Sequence, residues 1–177
     1  MRYIVWTYWN CKRCPLHQHR KSIVFGRGVL PADILFVGEA PGKSENLRGF
    51  PFIGPSGKLL DMAILQATKL VDMRAPPRFF ITNTVACRPC DSPLGDNRPP
   101  TGEESWACWP RLERTYMDAK PKAVVLLGKV AAQYCKKAWP NATELYHPAF
   151  ILRLGGQEST AYREFVQNLG EVFRRIQ

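Results

Sequence analysis

Ile34-Leu35-Phe36-Val37 leads into Gly38-Glu39-Ala40-Pro41-Gly42-Lys43-Ser44-Glu45-Asn46-Leu47-Arg48-Gly49-Phe50-Pro51-Phe52-Ile53-Gly54-Pro55-Ser56-Gly57, and a helical pattern opens near Lys58. The short apolar run bounded by turn residues predicts a buried strand. The stretch after it reads as a loop of about twenty residues between that strand and a helix, at the strand's carboxyl end, where open parallel sheets bind ligands. Five glycines and three prolines in the loop allow sharp turns and close backbone approach to a ligand. It also carries two carboxylates, Glu39 and Glu45, and the aromatic pair Phe50 and Phe52. Gly42-Lys43-Ser44 looks like the end of a phosphate-binding loop, but that motif needs four residues between its first glycine and the Gly-Lys pair. Gly38 leaves three, and the place one residue earlier is Val37. Nucleotide hydrolysis is set aside on that count.

Outward from this stretch, strands and helical patterns alternate. An edge strand is expected near Ile23-Val24-Phe25, and the first central strand spans Asp33 to Val37. A helix follows from about Lys58 to Leu70, with Leu59, Met62, Ala63, Leu65 and Ala67 on its buried face. Phe79 to Asn83 is a second strand after the Pro76-Pro77 turn. A Pro-rich basic loop from Cys87 to Pro100 precedes a capping box, Thr101 with Glu104, that starts a helix to about Ala119. The strand Ala123 to Leu127, a helix from Lys129 to about Ala138, the segment ending at Tyr146-His147-Pro148-Ala149 and a last helix from Thr160 to Ile176 complete the chain. This alternation predicts an α/β fold, a three-layer α/β/α sandwich around a mostly parallel four-stranded sheet, as a single domain over residues 1–177.

The 177 residues suffice for one domain with a real core. Lys and Arg outnumber Asp and Glu by 25 to 15, giving a net charge of +10 and favouring a polyanionic partner, nucleic acid first. No apolar run reaches the length of a membrane span. Met1 to Asn10 lacks the basic region and cleavage site of a signal peptide, so a cytoplasmic protein is expected. In that setting six cysteines argue for metal or redox chemistry over disulfides. Cys11-x-x-Cys14 is a two-ligand clip, and Cys87-Arg88-Pro89-Cys90 repeats its spacing; Cys108 and Cys135 complete the set. Four thiolates can hold structural zinc or an iron–sulfur cluster, and spacing alone leans only slightly to zinc.

Taken together, the chain resembles the family 4 uracil-DNA glycosylases, the type that carries a 4Fe-4S cluster. The resemblance runs from Cys11 to about Arg153. It rests on Cys11-x-x-Cys14, Val24-Phe25-Gly26, Gly38-Glu39-Ala40-Pro41-Gly42 with Glu45, and Gly49-Phe50-Pro51-Phe52-Ile53-Gly54. Ile81-Thr82-Asn83, Cys87-Arg88-Pro89, Asn97-Arg98, Cys108 and His147-Pro148-Ala149 follow in order. It implies cluster ligands Cys11, Cys14, Cys87 and Cys108, leaving Cys90 and Cys135 free. It further implies a base pocket in which Gly38, Ala40, Phe52 and Asn83 bind a flipped uracil, with Phe52 stacking and the Asn83 amide pairing with the O4/N3 edge. His147 would donate to O2 as the base leaves, while Glu39 and Glu45 position water and stabilise the cation-like sugar. Arg88, Arg98, Leu152 and Arg153 are expected on the DNA, the partner of a monomeric enzyme.

Several features depart from the family. Asn46 stands where an acidic residue is usual, Cys90 replaces a proline, and Asp91 to Asp96 reads as an insertion. The segment between Ala138 and Tyr146 is shorter than expected, which would open one side of the pocket. Two alternatives to a uracil glycosylase therefore stand: an enzyme for a bulkier modified pyrimidine, and a DNA-binding module without chemistry.

Overall fold

A computed structural model describes residues 7–177. Met1–Trp6 of the N-terminal stretch in which a leader was sought lie outside the described residues. Five strands form one sheet: β1 (Arg27–Gly28), β2 (Ile34–Gly38), β3 (Phe79–Asn83), β4 (Ala123–Leu127) and β5 (Thr143–Leu145), in the order β1-β3-β2-β4-β5. β1 is antiparallel to β3 and every other pairing is parallel. Among the described residues they are accompanied by the helices α1 (Lys43–Arg48), α2 (Pro55–Leu70), α3 (Gly102–Ala119), α4 (Lys129–Cys135), α5 (Pro148–Arg153) and α6 (Thr160–Ile176).

The period of two along the central strands sorts their side chains into two cores. Ile34, Phe36, Ile81, Val125 and Leu127 face α2 and α6, meeting Leu60, Ile64, Phe165, Leu169 and Phe173. Leu35, Val37, Phe80, Val124 and Leu126 face the other way, onto Leu112 of α3 and Ala131, Ala132 and Cys135 of α4. With both faces covered, β2 is buried along its whole length. The expected three-layer sandwich is present, with five strands in place of four.

The fifth strand is β5, three residues paired parallel to β4 in the shortened segment before His147. At the opposite edge the strand lies at Arg27–Gly28 and not at Ile23 to Phe25, where Val24 N–H bonds singly to the Ala86 carbonyl at 2.7 Å. The long Gly-Pro loop contains α1, closed by Gly49 in the left-handed region (φ 78°). α2 begins at Pro55, where proline suits a first helical position. Its buried face includes Leu60 and Ile64, whereas Met62 (38% exposed) and Leu65 (53%) point outward, rotating the expected stripe. α4 stops at Cys135, short of Ala138. The capping box of Thr101 and Glu104 and the last helix stand where expected. Among the described residues no helix is long and apolar enough to cross a membrane.

Candidate active site and thiol centre

The carboxyl ends of β2 and β3 meet at Gly38 and Asn83, which are partners in register. A Cβ on Gly38 would fall 2.5 Å from Asn83 Oδ1 and 2.6 Å from the Phe52 ring, so only glycine lets both side chains close over the strand end. Phe52 is itself held at φ 53°, uncommon for an aromatic residue, a strain typical of functional sites. Its carbonyl occupies the space beside Gly57, where any Cβ would collide at 1.7 Å. The loop's glycines thus aim one ring.

Asn83 is 2% exposed, and its Oδ1 has no hydrogen-bond partner among the described residues. Asn83 lines a cavity of about 380 Å³ together with Ala40, Glu45, Phe52, Asn97 and His147. A buried acceptor left unpaired is costly, and in a cavity wall it marks a place for a donor.

His147 caps α5, its Nδ1 accepting from the Ala149 backbone N–H at 3.1 Å. That bond assigns the neutral ring's proton to Nε2. Burial, and then the charge of Arg153, push its pKa down to about 4, so the ring is neutral at physiological pH. Phe52 and His147 stack with centroids 5.6 Å apart. A Cβ on Gly128 would come 2.9 Å from that of His147, fixing how closely the β4 end passes beneath it.

The two glutamates lie on different sides of this histidine. Glu45, on α1, accepts from the Ile53 N–H at 3.3 Å and lines the Asn83 cavity. Glu39 lines a second cavity of about 760 Å³ with Lys129, Tyr146, His147, Phe150 and Arg153, and burial raises its pKa. Asn46, the unusual amide, turns away from both: it is buried, and its Oδ1 accepts from the Lys21 and Ser22 N–H groups at 2.9 and 3.3 Å. It fastens α1 to the N-terminal segment.

The expected DNA contacts divide. Arg88 is 2% exposed and its guanidinium is engaged inside the loop, on Asn97 Oδ1 at 2.6 Å, the Pro93 carbonyl at 3.2 Å and the Gly95 carbonyl. That internal engagement corrects its placement at the surface. Arg98 pairs with Glu104 at 2.7 Å and Asp91 at 2.8 Å, bracing the same loop against α3. On α5, Ile151 enters the core, whereas Phe150, Leu152 and the capping Leu154 just beyond the helix are exposed, and the Arg153 guanidinium lies 5.7 Å from the Phe150 ring centre.

Cys11, Cys14, Cys87 and Cys108 line one small apolar cavity together with Arg20 and Arg111. Arg20 Nη1 lies 3.7 Å from Cys87 Sγ, and Arg111 Nη2 lies 3.6 Å from Cys108 Sγ. Among the described residues no three His, Cys, Asp or Glu side chains converge as they would on one metal ion. The four thiols instead surround a space, an arrangement suited to a group of larger span. Burial raises the pKa of Cys14, and that of Cys87 to about 11, so a strongly positive group is needed to hold them as thiolates. Cys90 and Cys135 are buried outside this cavity, Cys135 at the end of α4 on its core face with its pKa pushed up by burial to about 12. Arg111 went unnoticed in the sequence, although it follows Cys108 by three residues, the spacing that puts two side chains on one helix face.

Residues 25–170 match the family described as the uracil DNA glycosylase superfamily. The chain is similar to the type-4 uracil-DNA glycosylase of Sulfurisphaera tokodaii, 42% identical over 125 residues, covering 71% of this chain and 53% of that protein. With the enzyme of the same name from Pyrobaculum aerophilum it shares 41% over 124 residues, 70% of this chain and 58% of the relative. The Thermotoga maritima protein of that name is 37% identical over 162 residues, 81% of this chain and 79% of its own length. The chain thus spans little more than half the length of the first two. The matched span holds both strand ends, Phe52, Asn83 and His147, and the chain belongs to the uracil DNA glycosylase superfamily.

Proposed function

We propose that the chain is a DNA glycosylase that hydrolyses the N-glycosidic bond of uracil in DNA and leaves an abasic site. The observation that carries this reading is the unpaired Oδ1 of buried Asn83, a residue that lines one cavity with Phe52 and a neutral His147. A base flipped from the duplex, at a cost of a few kcal/mol, would lie against Phe52. Asn83 Oδ1 would accept from uracil N3–H while Nδ2 donates to O4. Cytosine presents the opposite pattern on that edge, so it would leave a buried donor and a buried acceptor unpaired at roughly 1–3 kcal/mol each.

His147 has Nδ1 engaged by Ala149, so its Nε2–H is the donor available to uracil O2. Negative charge grows there as the N1–C1′ bond breaks and its electron pair goes to the base. A preorganised donor of that kind contributes roughly 3–4 kcal/mol. Water adds to C1′ and releases its proton. Glu39, held in a partly dry site, would orient that water and stabilise positive charge on the sugar, with Glu45 assisting from α1.

The four thiols fit the cluster ligand set Cys11, Cys14, Cys87 and Cys108. When bound, a 4Fe-4S cluster supplies a cross-link among three segments of the chain and a charge that keeps the thiols ionised. DNA would lie along α5, where Leu152 beside Arg153 suits insertion into the gap left by a flipped base, with the +10 charge drawing phosphates. Residues 1–177 would act as one cytoplasmic, monomeric unit.

The test is abasic-site cleavage on oligonucleotides carrying uracil, cytosine, thymine or a 5-substituted uracil, with the wild-type protein and Asn83→Ala. Release of uracil that Asn83→Ala reduces at least a hundredfold supports the reading. Release of no base, with no preference for a uracil oligonucleotide over its thymine counterpart, overturns it in favour of a DNA-binding module.

A further inference from the structure

Arg111 projects from α3 one turn beyond Cys108 and is buried. Its Nη1 donates to Thr82 Oγ1 at 2.8 Å, and its Nη2 donates to the carbonyls of Asn83 at 2.6 Å and Thr84 at 2.9 Å. The same Nη2 lies 3.6 Å from Cys108 Sγ. One guanidinium therefore spans the carboxyl end of β3 and touches the thiol centre. None of these partners is a carboxylate, and a buried cation is strongly unfavourable unless an anion accompanies it. Of the four, the Cys108 sulfur is the one that would be anionic, as a ligand of the proposed cluster.

We propose that Arg111 is a positioning residue coupling the thiol centre to base recognition. It compensates the charge of the Cys108 thiolate and clamps the β3 end, so that the Asn83 carboxamide faces the cavity. This rests on the glycosylase and cluster reading above. The clamp is specific to arginine, because its planar fork reaches three oxygens at once whereas an ammonium is a point charge. Thr84 extends the clamp to the neighbouring strand end: its N–H and Oγ1 both donate to the Gly38 carbonyl, at 2.8 and 3.0 Å. Donors to a ligating sulfur also tune a cluster's reduction potential, because they favour its more negative, reduced form.

The test uses cluster-loaded protein, wild type beside Arg111→Gln and Arg111→Lys, with three readouts: the cluster's reduction potential, inhibition by free uracil, and affinity for uracil-free DNA. Arg111→Gln is expected to shift the potential negative and weaken uracil inhibition at least tenfold, with DNA affinity unchanged. Arg111→Lys keeps the charge, so its potential should stay near wild type while uracil inhibition still weakens. An Arg111→Gln protein that changes only one of potential and uracil affinity, or only melts earlier, overturns the coupling. If Arg111→Gln does not fold, wild-type uracil affinity in Arg111→Lys does the same. Wild-type protein lacking iron or uracil release would instead overturn the underlying reading.

Discussion

At the scale of single residues, the proposed chemistry asks for one neutral histidine and one charged glutamate. With Nδ1 occupied and its pKa near 4, His147 remains a neutral donor through the physiological range. Replacing it with alanine should slow uracil release about a hundredfold or more, a loss of one preorganised donor, while binding to uracil DNA persists. The pKa lies below the ordinary 6.5, so stability linked to neutral His147 is present above pH 6.5 and lost as pH falls through about 4. Acid denaturation of His147→Gln should accordingly begin at lower pH than that of wild type, as followed by circular dichroism. Glu39 is shifted the opposite way, up from 4.5 by burial, and in the proposed role it would act ionised. The acid limb of kcat against pH should therefore lie above 4.5 and vanish in the residual activity of Glu39→Gln; an unchanged limb would assign it elsewhere.

Among the elements, α3 shows what a basic loop is for in this chain. Arg98 binds Glu104, the same side chain that closes the capping box on the Thr101 N–H at 2.8 Å. Arg98→Ala should cost about 2 kcal/mol, between the values for exposed and buried ion pairs. It should leave the salt dependence of DNA binding near wild type, whereas Arg153→Ala should reduce the slope of log affinity against log salt by about one. Equal slopes for the two variants would return Arg98 to the DNA. α3 and α6 were legible in the sequence because their caps and long apolar stripes agree. α1 and α5 were not: each is six residues long, α1 is mostly polar and sits among glycines and prolines, and three-residue β5 is too short to show alternation. That Gly38, Phe52 and Asn83 would gather at strand ends could be read, because strand ends are where such loops converge. Arg88 could not, since only the folded loop reveals that its charge meets the carbonyls of Pro93 and Gly95. Arg20 and Asn46 were equally hidden, as both act across turns that no periodicity encodes.

For the whole molecule, the thiol centre draws the N-terminal segment, the segment after β3 and α3 to one point. Protein purified without oxygen should be brown and carry about four irons per chain, as expected of a cluster of this type. Cys87→Ser or Cys108→Ser should lose colour and thermal stability together, because binding the group is part of folding. Stoichiometric zinc in the wild type would overturn the cluster. The orphaned acceptor on Asn83 has a consequence of another kind. Among the described residues no protein group pairs with that oxygen, so a ligand N–H placed there adds a hydrogen bond that the protein alone does not make. The free base, the product of the proposed reaction, should therefore act as a folding ligand. Uracil at a hundred times its Kd should add about 2.7 kcal/mol to the unfolding free energy. Cytosine at equal concentration should leave the melting temperature unmoved, making a simple thermal melt a reader of base identity.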